Sequence, residues 1–317
     1  MDDKTIDFLK SRGDVSMGKL KAILQYRKAN GWKKTFQFYG KLLLGVPDYR
    51  EEIDTLFWFL NEYVDITQAP PAKGNLREHQ LSNTMLLRFI DKVLEKNGLD
   101  YWLTYGTLLG GIRHQGHIPW DDDLDIAMPR EDYEKAKIIF KELACENGLK
   151  FFVNENQFFE SIGIGFSDAG LWCDIYPRDV FLFEGSENQA QEVLVERLNN
   201  YNRFLASTPC KDWEKLREKQ KEVIEGETVP SGISFFYSPF KSFFVKKEDV
   251  YPLKKQEFEG FLFNFPQNSD VILTKFYGKD YMSFPRKGIL HHSTGEFLDR
   301  IEQETRREQL KEMIENI

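Results

Sequence analysis

Apolar residues recur along the chain at two spacings, which separate predicted helices from predicted strands. Between Leu81 and Leu94 the interval is three or four residues, so one side of a helix is apolar until the turn at residues 97–98. Residues 130–147 form another predicted helix, which a proline precedes and a glycine follows. Further helices are predicted over residues 107–113, 187–205, 212–225, 270–277 and 296–316.

Short apolar segments with turn residues at their ends predict strands. They lie at residues 99–104, 123–128, 150–153, 158–166, 171–176 and 181–183, with a hairpin at 256–265 around Gly260. Residues 228–250 are aromatic but have no regular period, and they receive no assignment. Strands and helices mixed in this way predict an α/β (α+β) fold around a mixed sheet.

The N-terminal part of the chain differs from the rest. Its apolar residues have helical spacing up to a break rich in proline and alanine at residues 69–74. The predicted organisation is a helical, basic and aromatic region at 1–75 followed by a larger domain at 76–317. Within that domain the core is predicted at about 80–185 and a C-terminal elaboration at 186–317.

Two carboxylates stand two residues apart inside an apolar segment. Asp123 and Asp125 lie in a predicted strand, whose side chains alternate between two faces. The two acids therefore share one face, while Leu124 and Ile126 point into the core. Two negative charges held side by side on a rigid element are unfavourable without a cation between them. The segment therefore predicts a divalent-metal site.

Two other interpretations apply to the same acids. In a calcium loop of the EF-hand type, Asp121, Asp123 and Asp125 would fill positions one, three and five. That match fails, because position six is Ile126 instead of glycine and position twelve is Asp132 instead of glutamate. A solvated acidic turn is the other alternative, although such turns seldom run directly into an apolar strand.

A glycine turn lies seventeen residues before Asp123. Gly106 and Thr107 stand between a predicted strand and a predicted helix. There the backbone amides and the Thr107 hydroxyl can receive a phosphate. Alone, the turn is better explained by local structure, and its nearness to the acids is what favours a phosphate site. Arg113, in the helix that follows, is a candidate for neutralising that phosphate.

A third carboxylate, Asp174, lies in another apolar segment at residues 171–176. If this strand neighbours the acidic strand, the three acids match two-metal phosphoryl transfer, in which shared acids hold Mg²⁺ near the attacking hydroxyl. An acid at an exposed strand position is the alternative. His291, in a polar loop, is a candidate for phosphate binding or proton transfer, and an ordinary loop histidine is the alternative there.

Composition narrows the class of protein. A net charge of −8 argues against nucleic-acid binding, and a mean hydropathy of −0.51 argues against a membrane span. Three dispersed cysteines argue against a disulfide framework, and the N-terminus lacks a secretory signal, so a cytoplasmic location is expected. Nine basic residues against one acid between Lys10 and Lys41 favour a solvated helical face. The alternative is peripheral contact of residues 10–44 with the inner face of a membrane.

The segment TYGTLLGGIRHQGHIPWDDDLDIAMPREDYE closely resembles the signature of the LicD family. This family comprises phosphocholine and related phosphosugar transferases, with fukutin and fukutin-related protein among its relatives. The resemblance covers about residues 80–180, is patchier around 277–292 and does not include 1–75. It implies a nucleotidyltransferase-like fold with helical additions at both ends. One departure is Tyr105, which stands where many relatives have a second small residue.

The resemblance also implies an activity, which is the transfer of a phosphorylated alcohol from a CDP-linked donor to a hydroxyl of a glycan, lipid-linked glycan or teichoic-acid precursor. Mg²⁺ is the expected cofactor, with Mn²⁺ as the alternative. Phosphocholine from CDP-choline is the first choice, and ribitol phosphate from CDP-ribitol or glycerol phosphate from CDP-glycerol follow. The implied metal and catalytic residues are Asp123, Asp125 and Asp174, and the implied substrate-binding residues are Gly106, Thr107, Arg113, Asp122 and His291.

Two rival functions remain at this point. A nucleotidyltransferase that moves NMP onto a small molecule would use the same carboxylates, and a glycan-binding scaffold would need no chemistry. Aromatic rings could form a cage for the quaternary ammonium group of a phosphocholine donor, which cation–π attraction would favour. Core packing explains most of the candidate rings, which are Trp102, Trp120, Trp172, Tyr176 and Tyr281.

Overall fold

The structure, a computed structural model, describes residues 28, 50–155, 160–166, 170–207, 215–216, 218–219, 232–238, 243–285 and 299–317. The chain divides into two compact units, 1–64 and 65–317. The break at residues 69–74 therefore lies inside the second unit. Of the basic N-terminal segment, only Lys28 falls within the described residues. No helix in the described ranges is both long enough and apolar enough to cross a membrane.

The helices follow the predicted pattern closely where the structure describes them. Gly98 and Gly148, with φ of 64° and 68°, follow the ends of two helices, as their sequence positions predict. The prediction at 212–225 lies mostly outside the described residues. The helices are α1 (Arg50–Tyr63), α2 (Gly74–Lys96), α3 (Tyr105–His114), α4 (Arg130–Asn147), α5 (Glu187–Ser207), α6 (Lys247–Val250), α7 (Ser269–Tyr277) and α8 (Arg300–Glu315).

A mixed sheet forms the centre of the second unit, which confirms the predicted α/β class. Its strands run in the order β1-β2-β5-β4-β3, with β6 beside β5 and β7 beside β6. The β2–β5 pair is parallel and the other pairs are antiparallel. The strands are β1 (Trp102–Leu103), β2 (Leu124–Pro129), β3 (Lys150–Glu155), β4 (Glu160–Phe166), β5 (Leu171–Phe183), β6 (Ile233–Ser238) and β7 (Phe243–Lys246), with a separate hairpin β8 (Lys254–Phe258) and β9 (Phe261–Phe265).

The prediction of two strands at 171–176 and 181–183 is wrong, because β5 is continuous through Pro177. The pairs of β5 with β4 end at Ile175, and its pairs with β6 begin at Asp179. Pro177 lies between these two sets of pairs, so neither antiparallel ladder needs an N–H from it. The strand therefore extends past the proline and changes partner there.

Two strands, β6 and β7, lie in the segment that has no regular period. Phe235, Phe236 and Tyr237 are consecutive and all buried, because β6 is covered on both faces. Phe236 packs in the main core, whereas Phe235 and Tyr237 pack with α5 in a second apolar cluster. A strand buried on both faces shows no alternation, which explains why the pattern predicted nothing here.

Candidate functional site

The three predicted acids come together where β2 and β5 run side by side. Asp125 pairs in register with Asp174, and Asp123 immediately precedes β2. Paired residues on neighbouring strands are about 5 Å apart and point to the same face of the sheet. The hypothesis that a neighbouring strand presents Asp174 beside the acidic strand is therefore confirmed at the level of strand register.

The acids also share one electrostatic field. Burial and then the negative charge of Asp123 raise the pKa of the Asp174 carboxyl to about 6, against the opposing effect of a hydrogen bond from Ser161. Burial also raises the pKa of the Cys173 thiol, with smaller contributions from Asp174, Asp125 and Asp123. The like charges therefore lie close enough to perturb one another, as the strand register requires.

Backbone hydrogen bonds fix the start of α3 against Asp125. The Thr104 N–H donates to the Asp125 carbonyl (3.1 Å), and the Asp125 N–H donates to the Thr107 hydroxyl (2.8 Å). Thr107 is buried, and its hydroxyl accepts this hydrogen bond from β2, so the hydroxyl could offer a phosphate only its own proton. Hydrogen bonds thus hold the glycine turn directly against Asp125.

Gly106 allows a fourth carboxylate to reach the start of α3. A Cβ atom at Gly106 would lie 2.7 Å from Oδ2 of Asp121, closer than real Cβ contacts allow. Asp121 is buried and stands where the helix N-terminus favours negative charge. The Asp121 carboxylate therefore occupies part of the space beside Gly106 that was predicted to receive a phosphate. The sequence pattern pointed to Asp121 only as a position of the rejected EF-hand match.

We expect Gly106→Ala to destabilise the fold by about 1–3 kcal/mol, because the added methyl must displace the Asp121 carboxylate. Urea unfolding of Gly106→Ala, Asp121→Ala and the double variant measures this contact. The double variant should be more stable than the sum of the two single effects predicts. Additive effects would show that the two residues do not touch.

Polar side chains of α2 hold the loop that carries the acids. Gln80 Nε2 donates to the carbonyls of Ile118 (3.0 Å) and Asp121 (2.8 Å). Asn83 Nδ2 donates to the Asp122 carbonyl (2.8 Å). The same carbonyl lies 2.9 Å from the Nε2 atom of His79, a third α2 residue. The loop backbone is therefore pinned at three carbonyls by one helix face.

These α2 residues are functional candidates that the sequence analysis missed. His79, Gln80, Asn83 and Thr84 are all buried, although the apolar stripe assigned them to the outer face of the helix. The sequence does contain a signal for them, because an exposed helix face usually carries charged residues and this face carries uncharged polar ones. Uncharged polar residues at these positions indicate a covered face whose side chains bond to the backbone of another segment.

The β8–β9 hairpin supports the other end of the same loop. Glu259 accepts two hydrogen bonds from Arg77 (2.8 and 2.7 Å) and one from the His117 N–H (3.1 Å). Burial would raise the pKa of Glu259, but the bonds and charges of Arg77 and His117 outweigh it and lower the pKa. The Glu259 N–H donates to the Gln115 carbonyl (2.9 Å), so the hairpin and loop are joined at both backbone and side chains.

Acid should destabilise the protein through His117, whose pKa is lowered to about 4, mainly by burial. Between pH 6.5 and 4 the unfolded chain binds a proton that the folded chain does not, so stability falls as the pH falls. Between pH 7 and 5 we expect wild type to lose about 1–2 kcal/mol more than His117→Gln, measured by urea unfolding. Equal losses of stability in the two proteins would show that His117 does not cause the sensitivity to acid.

Three tyrosines surround the acids. Tyr105, at the start of α3, has a φ of 45°, and its ring meets Tyr176 of β5 edge-on at 5.2 Å. Burial raises the pKa of Tyr176, and Asp125 and Asp174 raise it further. The pKa of Tyr277 is also raised by burial and then by Asp125 and Asp121. The hydroxyls of Tyr176 and Tyr277 therefore lie within the electrostatic field of the carboxylates.

Arg113 and Arg178 are the buried cations beside this group of side chains. Burial lowers the pKa of Arg113 to about 10, against the opposing effects of Tyr277 and Asp121. Its Nη1 donates to the Tyr281 carbonyl (2.8 Å), so it is held in place. Arg113 thus lies within the field of Asp121, and its role in neutralising a phosphate stays a prediction. Arg178, which the sequence analysis did not single out, lies over Tyr105 and Tyr176.

Other predicted residues have different places. Asp122 offers its backbone carbonyl to α2. His291 lies outside the described residues. Its role stays a prediction.

The acids suit a hard divalent cation, because carboxylate oxygens are the ligands that Mg²⁺ prefers. Asp174, with its raised pKa beside Asp123, shows the charge crowding that such a cation would relieve. Among the described residues, no three acid, histidine or cysteine side chains already form a metal cage. Mg²⁺ commonly uses one or two carboxylates together with substrate phosphates, so the arrangement fits an ion bound jointly with substrate.

Comparison with known proteins identifies the same segment. Residues 98–177 match the family described as LicD/FKTN/FKRP, nucleotidyltransferase domain. The chain is 26% identical over 253 residues to the lipopolysaccharide cholinephosphotransferase LicD of Haemophilus influenzae, covering 67% of this chain and 93% of that protein. It is 29% identical over 140 residues to the uncharacterized protein RT0683 of Rickettsia typhi, covering 44% and 40% respectively. Over 45 residues it is 49% identical to human ribitol 5-phosphate transferase FKRP, covering 14% of this chain and 9% of that protein.

Proposed function

We propose that this protein is a phosphotransferase that modifies a glycan, because residues 98–177 match the family described as LicD/FKTN/FKRP, nucleotidyltransferase domain. The observation that carries the proposal is the register that sets Asp125 beside Asp174, with Asp123 immediately before the same strand. The donor is a CDP-linked alcohol. The acceptor is a hydroxyl of a glycan, a lipid-linked glycan or a teichoic-acid precursor.

In this proposal Asp123, Asp125 and Asp174 hold Mg²⁺, or Mn²⁺ as the alternative. A divalent ion bound there supplies positive charge to the donor diphosphate as negative charge develops. The protein contributes rigid placement, since Asp125 is fixed by hydrogen bonds to Thr104 and Thr107 on α3. Catalysis then comes mainly from positioning and charge neutralisation.

The acceptor hydroxyl is oriented by Asp174, which takes its proton. The hydroxyl oxygen forms a bond to the phosphorus that carries the alcohol, and the bond from that phosphorus to the bridging oxygen breaks. CMP leaves with the electron pair of that bond. Arg113 offers positive charge on the side of Asp121 and Tyr277. A phosphodiester on the acceptor and free CMP are the products.

The basic segment at residues 10–44 belongs to the same proposal. A lipid-linked acceptor lies at a membrane, and a basic, aromatic segment would hold the protein there by its attraction to anionic lipid. Vesicles that contain anionic lipid should retain the protein at low salt and release it at high salt. Failure of retention at low salt would leave the segment as a solvated face.

The test incubates the protein with Mg²⁺ and a panel of CDP-alcohols, in which water takes the place of the acceptor hydroxyl, and measures CMP. We expect CMP release that stops with EDTA and returns with added Mg²⁺. The rival nucleotidyltransferase would instead release pyrophosphate from a free nucleoside triphosphate. Pyrophosphate release without any CMP from the panel would overturn the proposed function.

A further inference from the structure

We propose that Arg178 selects the transferred group of this site, and that this group is a polyol phosphate and not phosphocholine. The proposal rests on the proposed function and narrows its substrate. It reverses the order that the family resemblance implies, in which phosphocholine comes first.

Arg178 faces the same side of the sheet as the third carboxylate. Asp174, Tyr176 and Arg178 alternate along β5, so their side chains leave one face of the strand. The guanidinium carbon lies 5.3 Å from the ring centroid of Tyr105 and 5.7 Å from that of Tyr176. Both distances are within the range of a cation–π contact. A protein cation therefore already lies against the rings of both tyrosines.

The Tyr105 ring has further aromatic neighbours. Phe276 lies against it at 4.8 Å with an interplanar angle of 31°, and Tyr176 meets it edge-on. A quaternary ammonium group is recognised by open aromatic faces, because it can neither donate nor accept hydrogen bonds. A quaternary ammonium group against the Tyr105 ring would be a second cation beside the Arg178 guanidinium. The rings of Tyr105 and Tyr176 are therefore unsuited to binding a choline group.

The other candidate rings for an ammonium cage are also engaged. Trp120 lies 5.9 Å from the Arg113 guanidinium, so it too faces a cation. Trp102 packs on Phe236, and Trp172 packs on Phe152. The hydroxyl of Tyr281 donates to Asp270. Of the rings considered for a cage, Trp120 and Tyr176 therefore already contact an arginine of the protein.

Arg178 has a donor that suits an oxygen-rich group. Its side chain is buried, with 2% of the residue exposed, and Nη1 donates to the Pro177 carbonyl (3.2 Å). Within the described part of the chain, Nη2 has no hydrogen-bond partner. A buried charged donor without an acceptor is costly, so an acceptor oxygen from a ligand would stabilise it. The hydroxyls of a polyol supply such oxygens, and a trimethylammonium group does not.

The test measures kcat/KM for CMP release from CDP-ribitol, CDP-glycerol and CDP-choline with Mg²⁺. Wild type should prefer at least one CDP-polyol over CDP-choline by about tenfold or more. Arg178→Met keeps the length of the side chain and removes its charge and donors. It should lower kcat/KM for the preferred CDP-polyol at least about tenfold, while kcat/KM for CDP-choline stays within about threefold or rises.

Arg197→Met is the matched control, because Arg197 lies over Phe181 (5.4 Å) in the second apolar cluster, and its three rates should match wild type. The wild-type ranking requires no variant, so it tests the proposal even if Arg178→Met does not fold. Preference of wild type for CDP-choline, or an equal loss on all donors in a folded Arg178→Met, overturns this proposal alone. Absence of CMP from every donor overturns the proposed function and this proposal with it.

Discussion

Replacing Asp125 by asparagine is expected to lower kcat/KM for CMP release by about 10³-fold or more. Asparagine has the same shape but no charge, so it cannot share a divalent ion with Asp174, its partner in the strand register. A 10³-fold loss corresponds to about 4 kcal/mol of transition-state stabilisation. The Asp125 N–H and carbonyl keep their bonds to Thr107 and Thr104, so the fold should remain.

Steady-state CMP release and urea unfolding, measured on the same preparations, check this expectation. The control is Glu142→Gln, which removes one exposed carboxylate from α4 and should match wild type in both measurements. A folded Asp125→Asn protein with more than about one tenth of wild-type activity would show that the acids do not form the reaction centre.

Replacing Gln80 by leucine should lower kcat by about 10²-fold although Gln80 does not reach the acids' carboxylates. Its amide holds the carbonyls of Ile118 and Asp121, and leucine would leave both without that donor. A shift of about 1 Å in the loop that leads to Asp123 is enough for a loss of this size. Each unpaired buried carbonyl also costs about 1–3 kcal/mol of stability.

The measurement separates kcat from KM at saturating Mg²⁺ and adds a thermal melt for each variant. Gln191→Leu is the matched control, because the Gln191 amide bonds only to Glu187 of its own helix among the contacts described (3.3 Å). Its kcat should equal that of wild type. A stability loss in Gln80→Leu with no change in kcat would assign Gln80 to the fold alone.

Much of the site could be predicted because local chemistry fixes it. The helix at 130–147 has the predicted bounds, since proline and glycine mark its two ends. The shared face of Asp123 and Asp125 stays a prediction from the period of a strand, because β2 begins at Leu124, one residue after Asp123. The neighbouring position of Asp174 required only that two apolar strands pair, and the register shows that they do.

The remainder depends on long-range packing that no local pattern carries. Polar residues of α2 such as Gln80 and Asn83 look solvent-facing until the acidic loop folds over them. Phe236 and its neighbours in β6 lack alternation because both faces of the strand are covered. Arg178 is one arginine in an apolar strand, and its role depends on the positions of Tyr105 and Tyr176, which only the fold brings together.

The central claim is that the acids direct attack on the phosphorus that carries the alcohol. The most direct test uses a CDP-alcohol labelled with ³³P at that phosphorus, together with Mg²⁺ and a glycan acceptor. The label should appear in a phosphodiester on the acceptor, with unlabelled CMP as the other product, and Asp125→Asn should abolish both. Transfer of the cytidine phosphate to the acceptor, with the label left in a free alcohol phosphate, would contradict the claim.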